Sequence, residues 1–346
     1  MTDLSEAHAV VLAGGIGSRF WPASTPSRPK QLLPLGGANP LILDTVDRAV
    51  ALVGLSRVHL VASDALARTF RAALPQLESI HVLRETEARG TGPALALAAH
   101  HLASLHPDAA MISLHADHII RPLEGFRRTV RRALAAARAD HRLYCIGVRP
   151  TRPETGYGYV RLGPGRTAGV FEVERFVEKP DEETASGYIG SGRYLWNTGI
   201  FVWRVRDFLS ALRRFTPEVA RALPALDEGD VAGFFGGVQP ISVDVGVMER
   251  ADAVGVVEAE FEWDDVGVWN ALARTRPADE AGNVLIGLAR AFESADNVVW
   301  AEDAEVTLFG VSGLVVVRSG AHTLVTTRRR APDLKSLVER LRDPEA

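Results

Sequence analysis

Cysteine is nearly absent. Cys145 is the only one in 346 residues, so no disulfide can close within the chain and a disulfide-stapled secreted scaffold is excluded. Its setting, the apolar run LYCIGV, marks it as a core residue, and a reducing cytoplasm is the expected compartment. Long apolar runs are missing as well, and none approaches the ~20 residues of a membrane span. The opening residues, MTDLSEAH, show neither the cationic stretch nor the apolar segment of a secretory leader, so none is expected. Neither charge sign dominates. A net charge of −4 argues against nucleic acid as the main partner, despite Arg328-Arg329-Arg330 and the arginine-rich stretch Arg127–Arg138. Those arginines recur at helical spacing and read as a solvated helix face. What is there, 47% hydrophobic and 24% charged residues, is the composition of a globular protein long enough for one large domain plus a small one.

Through the first 150 residues the hydrophobic period alternates. Short apolar runs at Ala9–Leu12, Arg57–Ala62, Ile80–Leu83, Ala110–Leu114 and Leu143–Val148 read as strands. Between them, Leu41–Val53, Ala65–Leu74, Pro93–Leu105 and Leu123–Ala139 carry helical spacing. Near-continuous apolar strands interleaved with amphipathic helices predict an α/β fold with a doubly wound, mostly parallel sheet. Ligands bind such sheets at the C-terminal ends of the strands.

The segment at one such end, VVLAGGIGSRFWPASTPSRPK (Val10–Lys30), is the most informative in the chain. Gly14, Gly15 and Gly17 let the backbone approach an anion without Cβ interference, and Arg19 and Lys30 add a forked and a point-like positive charge. A nucleoside triphosphate suits this pattern. It is not a Walker A loop, because Ser18-Arg19 stands where Lys-Ser/Thr is needed. It is not the dinucleotide fingerprint either, because Phe20 stands where the last glycine belongs. Downstream, Asp117 follows the strand Ala110–Leu114 in LHADHII, where a carboxylate can hold a divalent cation beside a triphosphate; a turn-capping aspartate fits the same position. The flanking His115 and His118 invite a zinc-hydrolase pattern, but that pattern needs histidine at Ser113.

Taken together, LAGGxGxR, Trp21-Pro22, Ser24 and Pro29-Lys30-Gln31 resemble the signature of sugar-1-phosphate nucleotidylyltransferases, and within them the mannose-1-phosphate guanylyltransferases. Leu114–Ile119 is similar to that family's LPADH motif, with His115 in place of proline. Trp263–Trp269, WDDVGVW, is similar to its W-x-D-V-G-x-W segment, whose register selects Asp265 over Asp264. ETGYGY at Glu154–Tyr159, FVEKP at Phe176–Pro180 and WNTGIF at Trp196–Phe201 follow in family order. Each has a bland alternative: a turn between buried tryptophans, a solvated salt bridge, a buried turn asparagine.

The resemblance implies a Rossmann-like nucleotidyltransferase domain over 1–270 and a small C-terminal β-helix-type module over 271–346. It implies Mg²⁺ on Asp117 and Asp265, with Arg19 and Lys30 as the other catalytic residues. The nucleotide would bind Leu12, Gly14, Gly15, Gly17 and Ser18, with Gly92 near the base. Gly158, Glu178, Lys179 and Asn197 would bind the sugar phosphate. Successive strand residues point to opposite faces, so Glu178 and Lys179 need a bend before Pro180 to serve one ligand. Where relatives carry RNTAPA, this chain reads RGTGPA at Arg89–Ala94, leaving backbone groups at two glycines to face the base. Beyond Asn270, β-branched runs at Asn283–Gly287, Asn297–Ala301, Val306–Phe309, Gly313–Val317 and Thr323–Thr326 precede a helix with Leu334, Leu337, Val338 and Leu341 on one stripe. In the family this module often serves dimerisation.

The expected reaction is GTP plus mannose 1-phosphate giving GDP-mannose and pyrophosphate, in the cytoplasm, with neither membrane nor nucleic acid as partner. Three alternatives stand beside it: another sugar 1-phosphate or nucleotide as substrate, a non-catalytic nucleotide-sugar-binding homologue, and an oxidoreductase on a Rossmann sheet. The broken fingerprint disfavours the oxidoreductase, and the full set of charged residues disfavours the non-catalytic homologue.

Overall fold

Alternating strand and helix patterns become alternating strands and helices in the computed structural model, which describes Leu4, residues 6–15 and residues 17–342. Ile16, inside the glycine loop, lies outside the described residues. In chain order the elements begin β1 (Ala7–Leu12), α1 (Leu41–Val53), β2 (Val58–Ser63), α2 (Asp64–Ala73), β3 (His81–Glu85), α3 (Thr91–Leu105), β4 (Ala110–His115), β5 (Ile119–Arg121) and α4 (Leu123–Asp140). They continue with β6 (Leu143–Val148), β7 (Gly158–Thr167), β8 (Val170–Glu178), α5 (Glu182–Ser191), β9 (Tyr194–Arg204), α6 (Val205–Phe215), β10 (Val254–Glu258) and β11 (Glu262–Asp264). Four strands complete the series: β12 (Val284–Phe292), β13 (Val298–Phe309), β14 (Leu314–Ser319) and β15 (His322–Thr327).

The elements group into two compact units. The first takes the chain up to Gly14, Thr45–Ala116 and Ile120–Trp263; the second takes Gly15–Asp44, Asp117–Ile119 and the residues from Asp264 onward.

In the first unit a nine-stranded sheet runs in the order β3-β2-β1-β4-β9-β6-β10-β8-β7. The pairings make β8 and β9 the reversed strands and leave the others parallel in direction. The sheet is therefore mostly parallel, and β1 is buried along its whole length, as a strand covered on both faces must be. Helix α3 is apolar over most of its length and is buried from Gly92 to Ala99 and again at Leu102. Cys145, in β6, is fully buried, and burial pushes its thiol far above the usual range. Helix α4 buries Phe126, Val130, Ala133, Leu134 and Ala137. Its arginines are not merely solvated, because Arg128 and Arg132 both pair with Glu260.

The second unit is organised around a four-stranded sheet, β12-β13-β14-β15. The first three strands are parallel, stacked as successive rungs, and β15 returns antiparallel. Asn283 and Asn297, both buried, form a ladder between rungs. The Asn297 Nδ2 donates to Asn283 Oδ1 at 2.9 Å and to the Val311 carbonyl at 3.1 Å, while its own Oδ1 accepts from Leu314 N–H at 2.9 Å. Two runs that read as separate strands, Asn297–Ala301 and Val306–Phe309, are one strand, β13. A register shift opposite Gly287 lets it bend; Gly287 sits at φ +78°, where a Cβ would collide with the Ala301 carbonyl. The glycine-loop segment shares this unit's core: Phe20, Leu33, Leu35 and Leu41 cluster with Trp269, Trp300, Val315 and Leu334.

Candidate active site

Within the second unit, the segment after Gly15 is shaped by close packing. Gly17 adopts φ +73°, and a Cβ there would collide with Lys30, so a side chain is excluded by both backbone and space. Ser18–Phe20 then form a single 3₁₀ turn whose Phe20 is buried against Trp269, with ring centroids 4.9 Å apart. The Trp269 indole N–H donates to the Trp21 carbonyl at 3.1 Å. These anchors leave Arg19 exposed and Ser18 half-buried. Gln31 steadies the turn from behind, donating from Nε2 to the Gly15 carbonyl at 3.1 Å.

Lys30 is buried, 6% exposed, and its ammonium gathers the acidic residues. Nζ donates to Asp117 Oδ2 at 2.7 Å and to the Asp265 backbone carbonyl at 2.8 Å. An ammonium carries three donors, so a third remains for an anionic ligand. The two adjacent aspartates of WDDVGVW divide the work. Asp264 is 7% exposed; its Oδ2 accepts from Arg274 Nε and Nη2 at 3.0 and 2.8 Å, and its Oδ1 accepts from Val266 N–H. That network holds Val266 at φ +45°, a strained conformation for a β-branched residue. Asp265, on the other side of the turn, has Oδ1 accepting from Gly267 N–H at 3.2 Å. Lys30 thus meets Asp117 through its carboxylate and Asp265 only through its backbone, and two aspartates are the number of carboxylates that magnesium takes from protein, so the residue types present fit that ion.

In the first unit, two further groups stand at strand ends. Leu12, the last residue of β1, is buried, and Gly14 follows it. A Cβ on Gly14 would lie 3.8 Å from Glu85 Oε2, at the end of β3. The Glu85 carboxylate has no hydrogen-bond or ion-pair partner among the described residues, and burial pushes it up to about 7. Nothing in the stretch RETEARG distinguishes it from the acids around it, so sequence reading passes it over. Gly90 and Gly92 have a different purpose from the expected one. Gly92 N–H donates to the Ile241 carbonyl at 3.1 Å, and a Cβ on Gly90, at φ +88°, would lie 2.6 Å from that same oxygen. The two glycines admit the Ile241 backbone, and the Gly92 N–H is engaged there rather than left for a base.

The remaining group lies where β7, β8 and β9 meet. Gly158 pairs with Glu178 across β7 and β8, and a Cβ there would lie 2.6 Å from Glu178 Oε2, so glycine makes the space for that carboxylate. Lys179 adopts φ +49°, which supplies the bend that one shared ligand requires, and its Nζ reaches Glu178 Oε1 at 3.2 Å. Asn197 in β9 donates from Nδ2 to Asp244 Oδ1 at 2.7 Å, and its Oδ1 accepts from Gly199 N–H. Asp244 opens a π-helical turn, Asp244–Met248. Burial, then the Glu178 charge, push its carboxyl up to about 6. It too escapes sequence reading: SVDVGV offers a lone acid among apolar residues and no partner nearby. Tyr157, whose carbonyl accepts from the Lys179 N–H at 3.2 Å, meets the rings of Trp196 and Trp263 edge-on.

Comparison with known proteins agrees with this layout. Residues 8–282 match the nucleotidyl transferase family, and residues 290–341 match the MannoseP isomerase/GMP-like beta-helix domain. The chain is 37% identical to a mannose-1-phosphate guanylyltransferase of Klebsiella pneumoniae, over 96% of this chain and 73% of that one. It is 38% identical to one of Escherichia coli over the same shares. A crystal structure from Thermus thermophilus, described as a mannose-1-phosphate geranyltransferase, superposes with TM-score 0.91 at 37% identity, covering 97% of this chain and 99% of that one. The chain is thus a nucleotidyltransferase and belongs to the mannose-1-phosphate guanylyltransferase family.

Proposed function

We propose that the protein transfers GMP from GTP to mannose 1-phosphate, giving GDP-mannose and pyrophosphate. The observation that carries the reaction type is the buried Lys30 ammonium shared by Asp117 and Asp265; the substrates follow from the names of the relatives. Asp117 and Asp265 would hold Mg²⁺, which when bound supplies charge neutralisation at the triphosphate.

A phosphate oxygen of the sugar phosphate attacks the α-phosphorus in line, the bond to pyrophosphate breaks, and no protein nucleophile is needed. The chain's residues position the reactants and offset charge. Arg19, exposed beyond the glycine turn, grips the departing pyrophosphate with its planar fork. Lys30 places its remaining N–H on a phosphate oxygen. Lys179 holds the sugar phosphate, while Glu178 accepts from sugar hydroxyls. Asn197 presents an amide whose orientation Asp244 and Gly199 fix. Guanine shows two donors side by side, N1–H and N2–H, and the partnerless carboxylate of Glu85 is a matching acceptor. A homodimer through the β12–β15 sheet belongs to the same reading. It is supported by Phe292 and Phe309, which pair across β12 and β13 and are 54% and 69% exposed.

Pyrophosphate release from GTP, ATP and UTP, each with mannose 1-phosphate and glucose 1-phosphate in Mg²⁺ buffer, tests the proposal. GTP with mannose 1-phosphate is expected to lead. Asp117→Asn is expected to lower its turnover by at least roughly 100-fold. No release with any pair would sink the catalytic reading, and another leading pair would reassign the substrates.

A further inference from the structure

Histidines collect at the other end of the large sheet. His8 lies near the start of β1, His59 near the start of β2, and His81 opens β3. His59 and His81 are direct neighbours in the β2–β3 pairing. Helix α3 runs back over these strands and brings His101 onto them from its last turns. The rings of His81 and His101 stack at 5.0 Å, and His59 meets both edge-on at 5.5 and 5.8 Å. None of these residues belongs to the catalytic groups described above. His8 and Gly14 are the two ends of one strand and its exit, about 20 Å apart at strand rise.

Three features separate this cluster from ordinary core histidines. First, one ring nitrogen from each of His59, His81 and His101 lies within 4.8 Å of the others. Second, His59 Nδ1 and His81 Nδ1 are 3.3 Å apart. Two nitrogens bound at 2.0–2.1 Å to one tetrahedral ion are separated by about that distance. Third, the other nitrogen of His59 is already held: Nε2 lies 3.0 Å from His8 Nδ1. With the Nε2 proton donated to His8, Nδ1 of His59 keeps its lone pair for a ligand, the arrangement in which metal-binding histidines are oriented by an outer partner.

We propose that His59, His81 and His101 form a binding site for one first-row divalent transition metal ion, with zinc as the reference case. Imidazole nitrogens select Zn²⁺, Co²⁺, Ni²⁺ or Cu²⁺ over Mg²⁺ and Ca²⁺, which take oxygen donors. The site is therefore chemically orthogonal to the carboxylate pair. Closure asks His101, half-buried on the helix face, to bring its nitrogen nearer by about 1.5 Å through side-chain rotation, to reach the tetrahedral spacing. His81 is exposed and gives the ion its entry, and water completes the fourth position. The bound ion would tie the sheet-edge strands β2 and β3 to α3.

The test uses the full chain, stripped with a chelator and kept in excess Mg²⁺ so that the carboxylates are saturated. Titration with Co²⁺ is expected to give the intense visible spectrum of a tetrahedral ion at one equivalent. The double variant His81→Ala/His101→Ala should lose that equivalent. His106→Ala removes a neighbouring imidazole that is not a ligand, and should keep it. Zinc should raise the thermal midpoint of the wild type but not of the double variant. Equal stoichiometry and spectra in wild type and double variant would overturn the proposal, as would equal loss in His106→Ala. If the double variant does not fold, X-ray absorption on the zinc-loaded wild type decides: three imidazole ligands support the site, and any smaller number refutes it.

Discussion

Glu85 and Asp244 are carboxyls that burial holds partly protonated where most acids are fully ionised. For Glu85, on the proposed contact with guanine, the consequence is functional. A carboxyl near 7 must lose its proton before it can accept from guanine N1–H and N2–H, so guanine binding favours the ionised form. The KM for GTP is therefore expected to fall as pH rises from 6 to 8. In Glu85→Gln the KM should be higher at every pH and show no such slope, with discrimination against ATP relaxed. Initial rates across that pH range, at saturating mannose 1-phosphate, check both points. A wild-type KM flat in pH would remove Glu85 from the base site. The sign for stability is the reverse. With its folded pKa raised, Glu85 contributes stability that is fully present below its unfolded value and lost as pH rises through about 7.

Among the elements, those with a strong local period were legible. The strands and helices of the first 150 residues appear within a residue or two of their sequence bounds, because short buried strands and apolar helix faces are written locally. The β13 rung was not legible as one strand, since its continuity depends on a register shift beside Gly287 in a different rung. The same holds at the site. Arg19, Lys30, Asp117 and Asp265 stand in motifs, whereas Glu85 and Asp244 owe their character to burial by distant segments. The asparagine ladder is another non-local feature, with Asn283 and Asn297 each preceding a valine that starts a strand. Asn297→Ala would take from the Leu314 N–H its acceptor, while Asn283 Oδ1 keeps the backbone N–H of residue 297 and the Val311 carbonyl keeps the Ala295 N–H. A loss of about 2 kcal/mol is expected, at roughly 1–3 kcal/mol per unsatisfied buried group. Urea unfolding of the variant would measure it; a loss within error of zero would show the ladder to be decorative.

For the whole molecule, no helix among the described residues is long and apolar enough to cross a membrane. The exposed pair Phe292 and Phe309 is the feature that bears on assembly. Light scattering is expected to give the mass of a dimer. Phe309→Asp, which places a charge on that face and touches no residue of the site, should shift the mass to a monomer. A monomeric wild type would end the dimer reading.

The shared core of Phe20, Trp269, Trp300 and Leu334 also bears on how such proteins descend. Trp21 and Trp269 are 248 positions apart in the chain, yet one accepts the other's indole hydrogen bond. A recombination event that imported a foreign C-terminal coil would arrive without the matching early segment, and the glycine turn would lose its floor. The two stretches are thus inherited as one unit, although a gene map draws them at opposite ends.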